Sequence, residues 1–169
     1  MPPLTDQQIR DVLPHLQRFA LWLTRNPHSA EDLVQGCLTK ALSRWSGYRG
    51  EESLRAWLFA ILYRQFIDGE RRRKRYQRIL GFFTGEEPAG DSAETLAIAD
   101  ETLQQFARLS ADARALLLLI SVEGMSYQEA ATALAIPVGT VMSRLSRARK
   151  QLHQHLDGQT PAVAFRRIK

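Results

Sequence analysis

Residues 124–152 read GMSYQEAATALAIPVGTVMSRLSRARKQL. The stretch joins two helical patterns through a Pro-Val-Gly corner. Ser126, with Glu129 three residues on, forms a capping box: the hydroxyl and the carboxylate each accept a backbone N–H that the first helical turn leaves unpaired. Tyr127, Ala130, Ala131 and Leu134 then share one face, and the alanines permit close helix approach. AIPVG ends that helix, and the next starts around Val138. There Val141, Leu145, Ala148 and Leu152 are spaced four, three and four apart, a single buried stripe. This is a helix-turn-helix with its second helix in the recognition position.

At about 100° per residue, the face opposite the stripe carries Gly139, Ser143, Ser146 and Lys150, with Arg147 and Thr140 beside them. Ser143, Ser146, Arg147 and Lys150 therefore have the best view of a DNA groove. Arg144 and Arg149 flank the stripe and suit phosphates or ion pairs within the domain. Spacing alone fits a helical hairpin with a solvated basic face equally well. The caps, the short corner and a second helix with four cations and no acid favour DNA.

The rest of the 169-residue chain supports that direction. Its formal charge is +5 and its pI about 9.8, which favour a polyanionic partner through counterion release. Seven basic residues fall between Arg64 and Arg78, against only Asp68 and Glu70. From Ile79 to Ala107 there is no Lys or Arg but six acids: Glu86, Glu87, Asp91, Glu94, Asp100 and Glu101. Hydrophobic residues make up 44%, enough for packed cores, yet no apolar run approaches bilayer length. The start MPPLTDQQIRD lacks the pattern of a secretory signal, and the single Cys37 excludes an internal disulfide or a multi-thiolate zinc site. These features point to the cytoplasm. His15, His28, His153 and His155 show no ligand spacing, so neither metal nor cofactor is expected.

Outward from the motif the pattern is helical nearly throughout. A first helix is predicted over Asp6–Arg25, bending or breaking near Pro14. Ser29, with Asp32 three residues on, is predicted to cap a second helix whose apolar face holds Leu33, Val34, Cys37, Leu38, Ala41, Leu42 and Trp45. SGYRGEES reads as a turn, and a third helix runs from about Leu54 to Arg75 with Leu54, Trp57, Leu58, Ile61 and Leu62 inward. GFFTGEEPAGDSAET has linker composition. Helices resume near Ala97, and Ser110 caps one that carries Leu116 to Val122. The fold class is all-α: two small helical domains joined by an acidic linker. The expected division is 1–78, a linker over 79–98, a helix-turn-helix domain over 99–157 and a tail over 158–169. The linker is expected to be extended, either as a solubilising spacer or docked in a basic channel of a partner.

With these residues in view, SYQEAATALAIPVGTVMSRLSRARKQL resembles the σ4 domain of bacterial RNA polymerase sigma factors of the extracytoplasmic-function (ECF) group. SAEDLVQGCLTKAL resembles the polymerase-binding helix of their σ2 domain. YRGEESLRAWLFAILYRQFIDGERRRKR resembles their promoter-melting and downstream-element segment. The resemblance covers about Leu16 to Leu156 in the family's order, and LQRFALWLTRNPHSAEDLVQ with VEGMSYQEAA is similar to the general-stress branch. It implies a transcription initiation factor whose partners are core RNA polymerase (clamp helices and flap), promoter DNA and an anti-sigma factor, without membrane insertion.

The same resemblance assigns polymerase binding to Asp32, Gln35, Gly36, Thr39 and Lys40. It assigns the downstream (−10) element and melting to Tyr48, Arg64, Asp68, Arg71, Arg72 and Arg73, with Tyr48 a stacking residue and Trp57 a core one. It assigns the upstream (−35) element to Thr140, Met142, Ser143, Arg144, Ser146, Arg147 and Lys150. Three positions depart from the family habit: Gly36 stands where relatives usually have an acid, Arg64 where many have Asn, and Met142 where they often have Lys or Arg. A stand-alone helix-turn-helix regulator remains the alternative; it would bind as a dimer to two symmetric half-sites. An enzyme is not expected.

Overall fold

The computed structural model describes residues 2–85 and 101–155, and every regular element among them is helical. The acidic stretch from Glu86 to Asp100, where the extended tether is expected, lies outside the described residues, as does the tail. Helix α1 spans Asp6–Thr24. Thr5 opens it with a capping box: its Oγ1 accepts from Gln8 N at 3.2 Å, and Gln8 Oε1 accepts from Thr5 N at 3.0 Å. The helix does not break at Pro14. That residue is exposed, so water can replace the one backbone bond the ring removes.

Helix α2, Pro27–Ser43, starts earlier than predicted. Asn26, not Ser29, is the cap: its side chain accepts from Ser29 N at 3.0 Å, and Pro27 fills the first helical position, where a missing N–H costs nothing. A 3-10 turn over Trp45–Gly47 leads to α3, Leu54–Thr84, capped by the Ser53 hydroxyl. This helix passes Arg75 and continues through Ile79–Thr84, inside the span read as linker. Nothing there forbids a helix. It stops at Gly85, which takes the left-handed conformation (φ 67°) with its N–H on Gly81 O at 2.9 Å. Then follow α4 (Glu101–Ala107), α5 (Ala111–Leu117), a π-helical turn (Leu118–Val122), α6 (Tyr127–Leu134) and α7 (Val138–His155). Ser110 caps α5, and the Ser126–Glu129 box opens α6 as read from sequence.

The two halves share one apolar core. In the first, α1, α2 and α3 pack on one another around Leu16, Phe19, Leu23, Cys37, Leu58 and Leu62, with Phe19 and Phe59 edge to face at 4.9 Å. In the second, α5, α6 and α7 bury the stripe Val141, Leu145, Ala148 and Leu152, none more than 2% exposed. The halves do not stand apart: α6 lies along α3, and α5 lies against α1. This explains where the predicted faces fell short. Leu54, Trp57 and Ile61 are only half-buried, whereas Phe59, Tyr63 and Phe66 are buried, because α3 packs against α2 and also against α6. Leu42, at 55% exposure, lies off the buried face of α2, and Tyr127 is exposed at the start of α6.

Candidate nucleic-acid interface

Three exposed surfaces carry the residues singled out in the sequence. The first is the outer face of α2. Asp32, Gln35, Thr39 and Lys40 are all exposed there, because Leu33, Val34, Cys37 and Ala41 turn the opposite face into the core. Neither Asp32 nor Lys40 has an ion-pair partner among the described residues, so both charges are available. Thr39 donates its hydroxyl to Gln35 O at 2.9 Å, which leaves its oxygen free to accept. Gly36 differs from its neighbours. It lies beneath the Gln65 side chain of α3, and a Cβ there would fall 2.0 Å from Gln65 Nε2. The missing side chain thus seats Gln65, a residue the sequence gave no reason to notice.

The second surface is the solvent side of α3. Arg64, Asp68, Arg71, Arg72 and Arg73 follow one another along it, all exposed, and Arg73 Nη2 donates to Glu70 Oε2 at 2.9 Å. Beside it opens a cleft of about 620 Å³ between the two halves, whose lining includes Arg25, Arg72, Arg73, Lys74 and Arg114 against Asp32 and Glu70. At the N-terminal end of α3 the aromatic residues are arranged differently from expectation. Tyr48 is not an isolated ring on a turn. It stacks on Trp45 (centroids 5.1 Å, interplanar 26°) and packs against Trp57 at 4.9 Å, while its hydroxyl donates to Glu52 O at 2.6 Å. Trp57, expected in the core, is a half-buried member of this cluster, and Trp45 Nε1 donates to Pro2 O at 2.8 Å. Loss of hydration, then the Glu52 charge, raises the Tyr48 phenol above its usual range. A pocket of about 130 Å³ opens between the Gly47–Glu52 loop and Trp57. Three rings within thirteen residues, Trp45 to Trp57, were the available signal.

The third surface is α7. Met142 (57% exposed), Ser143, Arg144, Ser146, Arg147, Arg149 and Lys150 all face solvent, and Thr140 is half-buried. The buried stripe fixes this presentation, since α5 and α6 hold the opposite face. Ser143 donates its hydroxyl to Thr140 O at 3.2 Å, so towards a ligand it is preset as an acceptor. Arg144 stands near the Tyr63–Asp112 pair, where its charge lowers the phenol pKa, but burial and the Asp112 bond dominate and push it up. It is therefore placed towards the other half, whereas its flanking position suggests phosphates or ion pairs within its own domain.

Cys37 is the one feature here with reactive chemistry. It is buried on α2, with Sγ donating to Leu58 O at 3.4 Å. Burial pushes its thiol up to about 12, and the opposing charge of Lys40, three residues on where no basic neighbour was expected, only moderates this. It is a structural thiol.

An all-helical chain with an exposed recognition helix, a basic helix and a separate charged helix face suits a protein that holds DNA and another protein at once. Comparison with known proteins bears this out. Residues 8–76 match the model of sigma-70 region 2, and residues 99–152 match that of sigma-70 region 4. The chain is 35% identical over 161 residues to the ECF RNA polymerase sigma factor EcfG of Rhodopseudomonas palustris, covering 89% of this chain and 85% of that one. It is 31% identical to the ECF sigma factor SigE of Mycolicibacterium smegmatis, over 91% of this chain and 62% of that protein. Among solved structures it resembles the sigma factor RpoE of Bartonella quintana, determined in complex with the anti-sigma factor NepR. There the TM-score is 0.75 and the identity 34%, over 91% of this chain and 97% of that one. The chain belongs to the ECF sigma factors of the sigma-70 family, transcription initiation factors of bacterial RNA polymerase. No helix among the described residues is long and apolar enough to cross a membrane.

Proposed function

We propose that each of the three surfaces has a separate task in making core polymerase promoter-specific. Asp32, Gln35, Thr39 and Lys40 dock on the clamp helices of the polymerase, with Gly36 setting the height of Gln65 behind them. Arg64, Asp68 and Arg71 to Arg73 hold the downstream element, and the Tyr48–Trp57 pocket receives a base from the melted strand, where an aromatic wall offers stacking to any base. Thr140, Met142, Ser143, Ser146, Arg147 and Lys150 read the upstream element in the major groove, and Arg144 holds phosphate. The protein acts by binding and not by catalysis, in the cytoplasm. The working units are residues 1–78 and 99–157 on either side of the acidic segment 79–98, with the tail 158–169 outside both. By likeness to the Bartonella quintana protein, an anti-sigma factor restrains it.

The observation that carries this reading is the unpaired charge on the outer face of α2. A helix-turn-helix protein that worked alone would not require this second face for binding its operator. Reversing both, as Asp32→Lys with Lys40→Glu, is expected to weaken binding to core polymerase at least about tenfold, the loss of about 1.4 kcal/mol. Helix content should stay unchanged, since neither side chain enters the core. Undiminished binding by the folded double variant would overturn the assignment of this face.

A further inference from the structure

Helix α3 is the longest of the described helices, and past Arg75 its last turns carry Tyr76, Ile79, Leu80 and Phe83, all exposed. Their spacing of three, one and three places them on one side of the helix at about 100° per residue. An apolar stripe of this kind normally faces a core. Arg71, Lys74, Arg75 and Arg78 repeat the same spacing and are exposed on the far side, turned away by roughly 140°. Phe82 lies between the two faces, its ring edge-on to Phe83 at 5.8 Å; the two rings are 86% and 78% exposed. Among the described residues no other exposed large apolar side chains are gathered in this way: Leu42, Tyr127, Val138 and Met142 belong to three different helices.

A face of this pattern is its own complement. A spacing of three, one and three reads the same in both directions. A two-fold axis between Ile79 and Leu80 therefore sets Tyr76 against Phe83 of a second copy and Ile79 against its Leu80, each contact made twice. The basic faces then point away from each other. The same antiparallel pairing brings the exposed Arg72 and Arg73, one turn before Tyr76 on the same side, to the C-terminal end of the other copy's helix. That end is the negative pole of the helix dipole, and it has no basic residue of its own in its last turn. Charge and apolar surface thus agree on one arrangement. With about 150–250 Å² for each of three mostly exposed rings, the pair buries on the order of 1,000–1,200 Å², the lower edge of the range for specific interfaces. Such an area suits a dimer that forms reversibly.

We propose that the stripe of Tyr76, Ile79, Leu80 and Phe83 pairs two copies of this chain, antiparallel along the ends of α3, as a reversible dimer of the free protein. The pairing engages Arg72 and Arg73, so it excludes contact of those two residues with the downstream element; this consequence alone rests on the proposed function.

The test is sedimentation velocity of the full-length protein over a concentration series. The parent is expected to pass from monomer to dimer as concentration rises. Leu80→Glu with Phe83→Glu, both at exposed positions, is expected to stay monomeric with helix content unchanged. A parent that remains monomeric, or a dimer that the double variant keeps, overturns the proposal. So does a monomeric parent whose stripe instead carries binding to vesicles of phosphatidylglycerol and phosphatidylcholine. Should the double variant lose helix content, the decision passes to oxidative cross-linking. Leu80→Cys, beside the axis, is expected to form a disulfide-linked dimer and Arg78→Cys, on the far side, is not, while the buried Cys37 stays unreactive. Cross-linking that does not favour Leu80→Cys overturns the pairing. Single-stranded DNA of the downstream element, added to the dimer, is expected to release monomers. A dimer that binds this DNA intact overturns the exclusion; a protein that binds none of it fails the reading of α3 and leaves the pairing standing.

Discussion

Single residues in this chain show how burial decides chemistry. Cys37 and Lys40 share a helix and lie three residues apart, a spacing that favours a thiolate, yet desolvation prevails and holds the thiol protonated up to about 12. The native protein is therefore expected to resist alkylation by a maleimide at pH 8 and to react fully once denatured; rapid native modification, read by mass spectrometry, would contradict this burial. Ala135 shows the opposite case, backbone strain in a plain residue. It closes α6 at φ 54°, in the left-handed region, where a Cβ costs about 1–2 kcal/mol. Glycine there relieves the strain but makes the unfolded chain freer by about 0.5–1 kcal/mol. Ala135→Gly should thus stabilise the protein by about 0.5–1 kcal/mol in denaturant titrations. A loss of stability would mean that the alanine methyl packs in a way its exposure does not suggest. The sequence placed Cys37 on the buried face of its helix and AIPVG at the end of α6, but nothing in it marked Ala135 for a left-handed backbone.

At the scale of elements, the recognition helix separates packing from contact. Leu145 is 2% exposed and lies between α5 and α6, so Leu145→Ala should cost roughly 2–5 kcal/mol through the cavity it leaves. Arg147, two positions along, is exposed on the opposite face, so Arg147→Ala should leave unfolding unchanged and lower discrimination at one upstream base pair by about 1–3 kcal/mol. Competition binding against single-base promoter variants measures the second effect; a uniform loss across all variants would make Arg147 a phosphate contact instead. This helix was legible because its spacing is regular and its capping box local. Helix α3 was legible on one side only. Phe59 meets Phe19 of α1 and Tyr63 bonds Asp112 of α5, and partners so distant in sequence leave no local period to read. Its end was missed for a different reason: Gly81 and the paired phenylalanines look like loop composition, but no proline or left-handed glycine stops the helix before Gly85.

For the whole molecule, the family and the two-part organisation were legible, because three motifs stand in the family's order. How the halves meet was not. Glu123, Arg114, His15, Arg18 and Arg55 read as ordinary surface charges until the fold brings them together, and long-range ion pairs leave no periodic trace. The central claim is that one chain carries a polymerase-docking face on α2, a basic helix for the downstream element and a recognition helix for the upstream one. Promoter-dependent initiation tests it most directly: purified protein is mixed with core polymerase on linear templates that differ only in the upstream or the downstream element. Initiation should need the protein and be lost when either element is scrambled. Arg147→Ala should relax the upstream requirement alone, and Arg64→Ala should weaken the downstream one alone. Initiation by core polymerase that the protein does not alter, or that is indifferent to both elements, would contradict that claim.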